Sequence, residues 1–409
     1  MLRTRPPLLL TTRWIATAGL SVDQLTAWGI LYYAYTVLSA PVAADLGLSR
    51  TFVAGAFSVC LVTSGWLAPL VGRWSDRFGA RELLVGGALL GALSMLALAA
   101  AAGPVVLGLA FVSLGAAQAL SLYEPAFRAI VDWFPEPAPR ARALLALTCV
   151  GGLASTVFLP ATALSVERFG WRPTVVGFAV LLALVLAPAR WLLPRRLPPP
   201  SGSTPEKQTS GVVGVRSATW LGRAFAIQAF ASTGVSIYLV WHQVEHGHTM
   251  AAAAVVAGLA GAAQVPGRVL VTMLQHWVSA DRRFPLLIAL QALALGVVVS
   301  STGVVAMGGV LVFGAIGGMM TLERATIVVL WYGPAGFGAR NGTIVAITRT
   351  AKAASPVVIA AIHAWASYDT IFAGLGAWLL LGAGCAARAG TARREETRDV
   401  SPPTSHPSD

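Results

Sequence analysis

Charge is scarce in this sequence. Only 11% of its 409 residues are Asp, Glu, Lys or Arg, against about 25% in soluble domains. With 56% apolar residues, that scarcity excludes an ordinary water-soluble domain and points to a chain solvated by lipid. Acids are rarer still, with 17 Asp and Glu against 29 Lys and Arg for a net charge of +12. The basic excess does not mark a nucleic-acid surface, because the charges lie in short loops rather than on one face. Cysteine is nearly absent: Cys60, Cys149 and Cys385 sit inside apolar runs, with no metal or redox spacing and no disulfide framework. Paired metal ligands, a nucleophile constellation and a phosphate loop are missing as well, which argues against a membrane enzyme. No cofactor and no metal is expected.

Long apolar runs are plentiful. Twelve stretches reach the ~20 residues a spanning helix needs, over 15–42, 50–72, 83–102, 104–127, 141–165, 172–193, 218–243, 250–275, 284–302, 304–331, 340–364 and 367–387. Glycine, at 42 residues, suits close helix contact in lipid. Arg3, Arg5 and Arg13 precede the first run, but it continues from Trp14 to Ala44, past the ~7–15 residues of a signal core. It reads as a retained transmembrane helix.

The one long polar interruption, 194–217, is rich in Pro, Ser and Thr and reads as a cytoplasmic linker. The expected architecture is an all-α membrane protein with twelve transmembrane helices in two six-helix bundles, 1–193 and 218–390. Residues 391–409 are charged and Pro/Ser-rich, expected to be a disordered cytoplasmic tail.

Basic residues orient the chain. With the N-terminus inside, 23 of the 29 Lys and Arg fall in cytoplasmic segments and only Arg50, Arg168 and Arg172 outside. Both termini are therefore expected in the cytoplasm, in a multi-pass protein of the cytoplasmic (inner) membrane. The halves also echo each other: Trp133-Phe134 with Arg142 recurs as Trp331-Tyr332 with Arg340, at an offset of 198.

Between the second and third runs stands Gly72-Arg-Trp-Ser-Asp76-Arg77-Phe-Gly79-Ala-Arg81. Gly72 and Gly79 let the backbone turn and approach neighbouring helices. Asp76, its one acid, can pair with Arg73, Arg77 or Arg81, or take the positive end of a neighbouring helix dipole. The spacing resembles the G-x-x-x-D-R-x-G-x-R loop signature of the major facilitator superfamily. That resemblance implies the two-bundle fold, secondary active transport by alternating access, and a cytoplasmic latch of Gly72, Asp76, Arg77, Gly79 and Arg81 that stabilises one conformation.

Ionisable and polar groups at membrane depth are costly, and so are functional candidates. In the first helix, Gln24, Trp28, Tyr32, Tyr35 and Ser39 fall within roughly an 80° arc at 100° per residue, suiting them to line a cavity. In the fourth, Glu124 and Arg128 have the i,i+4 spacing of an ion pair. The seventh aligns Gln228 with Ser232 and Ser236, and His242 stands beside them as the proton-titrating candidate. Arg268 lies late in the eighth, Glu323 and Arg324 late in the tenth, and Arg349 with Lys352 on one face of the eleventh. Gln24, Trp28, Tyr32, Tyr35, Gln228, Arg268 and Arg349 are expected to bind substrate. Glu124, Arg128, His242, Glu323 and Arg324 are expected to couple transport to a proton or another ion.

Three further stretches look like the bacterial branch related to monocarboxylate porters: Tyr32-Tyr-Ala-Tyr35 with Pro41 and Leu46-Gly-Leu-Ser-Arg50, Arg140-Ala-Arg142 with Gly151-Gly152, and Gln264 with Arg268. In that family an Asp and an Arg four residues apart in the eighth helix couple protons to carboxylate movement. Arg268 matches the Arg, while Gln264 holds the Asp position. The expected function is transport of a small organic anion such as a monocarboxylate; the alternative is efflux of hydrophobic or amphipathic compounds. The expected partners are the solute, a coupled ion and the bilayer, with no nucleic acid, and the expected state is a monomer.

Overall fold

The computed structural model describes residues 7–191, 193–194, 214–333 and 337–400. Among them all regular structure is helical. Among the described residues, eleven helices are long and apolar enough to cross a membrane. We number twelve helices along the chain. α1 runs through Pro7–Trp28, Gly29–Tyr33 and Ala34–Asp45, α2 is Arg50–Phe78 and α3 is Ala80–Ala99. α4 comprises Pro104–Ser121 and Tyr123–Trp133, α5 Pro137–Gly152 and Ala154–Phe169, and α6 Trp171–Leu181, Leu182–Leu186 and Ala187–Trp191. α7 is Val215–Glu245, α8 Met250–Ala262 with Gln264–Leu274, α9 Ala280–Ser300, α10 Gly303–Tyr332, α11 Phe337–His363 and α12 Tyr368–Val400.

Local chemistry sets several of these boundaries. Ser49 accepts the Phe52 N–H at the start of α2, and Thr249 accepts that of Ala252 at the start of α8. Pro104 and Pro137 open α4 and α5, where a missing N–H costs nothing. The turns into α2 and α8 share one construction. Leu48 N–H returns to Ala43 O and Gly47 N–H to Ala44 O, while His248 N–H returns to Gln243 O and Gly247 N–H to Val244 O. Gly47 and Gly247, at φ 63 and 82, take the left-handed position each closure requires. The two turns stand 200 residues apart, a conformational echo beside the expected sequence repeat.

The chain forms two compact units. The first holds the described residues of Met1–Leu197 with Arg324–Val328 and Gly333–Ala353; the second holds those of Pro198–Glu323, Val329–Tyr332 and Ala354–Asp409. In the first, Leu31, Leu38, Val53, Ala88, Leu98 and Leu182 share a buried core. Large apolar side chains such as Trp66, Leu93, Leu109, Leu184, Leu293 and Leu381 are exposed. In water these would be liabilities; on helices of spanning length they are the lipid-facing surface.

Each unit buries an ion pair. In the first, Arg190 of α6 binds Asp23 of α1 (Nε–Oδ1 2.6 Å) and donates to Leu84 O and Ser121 Oγ. In the second, Arg283 of α9 holds Glu323 of α10 through two bonds of 2.9 and 3.1 Å. The linker expected over 194–217 lies mostly outside the described residues. Helix α12 continues to Val400, past the point where a disordered tail was expected. The reason is electrostatic: Arg393 and Arg394 both reach Asp281 at 3.2 Å, and Glu396 accepts the Ser217 N–H.

Candidate functional site

The charged motif is not a loop: Gly72–Phe78 are the last turns of α2, Gly79 alone makes the break, and α3 starts at Ala80, with the contacts centred on the aspartate. Asp76 Oδ1 accepts the backbone N–H of Gly338 at 3.0 Å and pairs with Arg128 Nη1 at 2.9 Å. Gly338 is the second residue of α11, where first-turn N–H groups lack intrahelical partners and the helix dipole is positive. A Cβ at Gly338 would press on Gly72 O and stand 3.0 Å from Asp76 Oδ1. Two arginines of the motif stack on rings: Arg81 lies 4.4 Å from the Trp191 centroid and Arg77 5.2 Å from that of Phe78.

The expected Glu124–Arg128 pair does not form. Arg128 faces two carboxylates at bonding distance, Asp76 and, at 2.9 Å, Asp132. Glu124 turns instead to Arg324 (3.6 Å) and Arg349 (3.5 Å). Lys352, one turn beyond Arg349 on α11, is solvent-exposed yet within electrostatic range of Glu124, Arg324 and Arg349. Two guanidinium groups therefore lie against one carboxylate with a third cation in electrostatic range, for a formal local charge of +2. Arg349 also donates to Ser64 Oγ of α2 and lies within electrostatic range of Tyr32 and Cys60.

Aromatic rings flank this cluster through Tyr123, the neighbour of Glu124 in sequence. Trp28 lies 5.0 Å from Tyr123 and 5.3 Å from Tyr32, and Tyr35 stacks on Phe57 at 3.8 Å. The five-residue stripe on α1 is interrupted by a change of winding, although Tyr32 and Tyr35 both reach the Phe57 ring. Gly29–Tyr33 is a π turn, with Ala34 N–H bonded to Gly29 O, so counting 100° per residue fails across it. Gln24 lies on the buried side, donating to Ser121 O at 2.8 Å and to Asp23. It belongs to the packing of the first unit rather than to an open surface.

The Major Facilitator Superfamily profile matches residues 24–323. The chain belongs to that superfamily. It is a membrane transporter, and its fold is that of the superfamily's solved members. The human organic anion transporter MFSD10 (TETRAN) superposes with TM-score 0.69 at 18% identity, covering 93% of this chain and 100% of its own. The Escherichia coli fucose:proton symporter FucP gives 0.68 at 16%, covering 94% and 99%. By sequence, an uncharacterized 38 kDa protein from Thermoproteus tenax is 29% identical over 81% of this chain and 83% of its own length. The MFS transporter asaE of Aspergillus flavus is 29% identical over 34% of this chain and 31% of its own.

The transporter's remaining expected site residues belong to its second unit. Glu323 is engaged by Arg283, so it and Arg324, though adjacent, serve different pairs. Gln228 is tied into a buried amide network, donating to Ser232 Oγ at 2.8 Å and to Gln291 Oε1 at 3.1 Å. Arg268 is buried on α8. His242 Nε2 lies 2.9 Å from Asp369 Oδ1, with its ring stacked on Phe372. Sequence reading missed the Asp23–Arg190 pair, for which a single acid in the first apolar run was the available signal. It also missed Gln118, whose Nε2 donates to Leu31 O inside the π turn at 2.7 Å.

Proposed function

We propose that this transporter moves a small organic anion, such as a monocarboxylate, by alternating access between two six-helix halves joined by the 194–217 linker. The observation that carries the reading is the group of Arg324, Arg349 and Lys352 around Glu124. The two arginine contacts, at 3.6 and 3.5 Å, are longer than the ~2.7–2.9 Å of a tight charge-assisted bond. An arriving carboxylate can displace Glu124 from guanidinium groups it holds loosely, and the planar fork of Arg suits that exchange. A proton on Glu124 would release the same two arginines, which offers a simple coupling between proton and anion. Trp28, Tyr32 and Tyr123 supply apolar surface beside the charged end.

In this reading Asp76 is a cytoplasmic latch, made in one conformation and broken in the other. The distribution of basic residues supports cytoplasmic termini. Uptake of a carboxylate panel into proteoliposomes, with and without a pH gradient, tests the substrate class. Accumulation that Arg349→Ala abolishes is the expected result. Extrusion of neutral or cationic amphipathic compounds, with no anion accumulated, would replace it with efflux.

A further inference from the structure

The end of α7 and the start of α12 bring together His242, His246 and Asp369, one ligand atom from each lying within 4.8 Å of the others. We propose that these three side chains form a binding site for a divalent transition-metal ion of the zinc class.

The hydrogen bonds around His246 carry the argument. Its Nδ1 lies 2.8 Å from His242 O, and a carbonyl oxygen can only accept, so Nδ1 bears the proton. In the neutral ring Nε2 then carries a lone pair. That lone pair faces Asp369 Oδ2 at 3.3 Å. In that neutral form two acceptors confront each other, a conflict that a proton or a metal ion between them removes. One helical turn earlier His242 presents its Nε2 to the other oxygen of the same carboxylate, 2.9 Å from Asp369 Oδ1. The two rings lie 4.5 Å apart, as i,i+4 spacing on a helix dictates.

The surroundings are those of a ligand set. The Gln243 side-chain Nε2 sits 3.2 Å from His242 Nδ1; turning the amide over puts its oxygen there, to accept the Nδ1 proton once His242 Nε2 binds metal. Phe372 fixes the plane of the His242 ring. Glu245, at the end of the same helix turn, accepts the Tyr368 N–H at 3.2 Å, holding the first turn of α12 in place and adding negative charge nearby. His246 and Asp369 are 35% and 42% exposed, so an ion can enter from solvent. Two imidazoles and one carboxylate leave a fourth tetrahedral position to water, a donor set that suits zinc rather than calcium or magnesium.

The test uses full-length protein in detergent micelles, free of any polyhistidine tag and stripped with chelator. Calorimetric titration with zinc chloride should find one ion per chain. His246→Ala and Asp369→Asn should each weaken binding at least about tenfold, and Gln243→Ala by ten- to a hundredfold, the usual effect of losing an outer-shell partner. His246→Gln, which keeps the side chain's bulk, should weaken binding as His246→Ala does. Cobalt chloride should give visible d–d absorption in the parent protein and lose it in the variants. No stoichiometric zinc uptake, or uptake of equal strength in the His246 and Asp369 variants, overturns the site, as does proof that His246 is simply an imidazolium in metal-free and zinc-saturated protein alike.

Discussion

Arg190 grips Asp23 from a position closed to solvent, Nε on Oδ1 at 2.6 Å and Nη2 on Oδ2 at 3.3 Å. The same guanidinium caps Leu84 O and touches Ser121 Oγ. One residue of α6 thus ties α1, α3 and α4 of the first unit. Removing one member of a buried pair leaves the other charge without compensation, at about 3–5 kcal/mol. Arg190→Met should therefore lower the thermal midpoint of the detergent-solubilised protein sharply. Asp23→Asn combined with Arg190→Gln should recover part of the loss, because neither charge is then stranded.

Asp76→Asn keeps the side chain's shape but weakens both its pair with Arg128 and its acceptance of the α11 amide. Transport should fall while insertion and expression stay normal. Gly338→Ala should give the same defect from the opposite side, since its Cβ would crowd Gly72 O and Asp76 Oδ1. Initial uptake rates read against membrane-fraction quantity separate this outcome from misfolding. Normal transport by both variants would remove the latch from the mechanism.

At the cation cluster, Arg349→Ala should abolish anion uptake, whereas Arg349→Lys should retain charge and lose bidentate geometry, raising KM more than it lowers kcat. Glu124→Gln should leave anion binding in place and flatten the dependence of uptake on the pH gradient. Transport that still follows the gradient in Glu124→Gln would assign coupling elsewhere.

Gln118→Leu removes the donor to Leu31 O inside the π turn. Leaving a buried acceptor unpaired costs about 1–3 kcal/mol, measurable as a lower midpoint. Gly29→Ala should be worse, because its Cβ meets the Phe158 ring.

The twelve helices and the superfamily were legible because both depend on short-range signals: apolar run length, and a ten-residue motif. The cation cluster was only half legible. Arg324 and Arg349 stood out as charges in apolar runs, but their shared partner could not be read from spacing, since Glu124 had a plausible local partner in Arg128. That partner was taken by Asp76 and Asp132, acids 52 residues away and one turn away. On α1, Gln24 was misplaced for a different reason: an angular count presumes an unbroken α-helix, and the π turn has no sequence signature strong enough to announce itself. His246 and Asp369 were overlooked because 123 residues separate two groups that the fold places side by side.

The π turn gives α1 a place to absorb a single-residue change in length. A residue gained or lost between Gly29 and Tyr33 would change the winding there without altering the helix ends that neighbouring loops hold. The extra winding takes up such a change locally, so Trp28 before the turn and Tyr35 and Ser39 after it keep their facing. The π turn thus separates the length of α1 from the direction its lining faces.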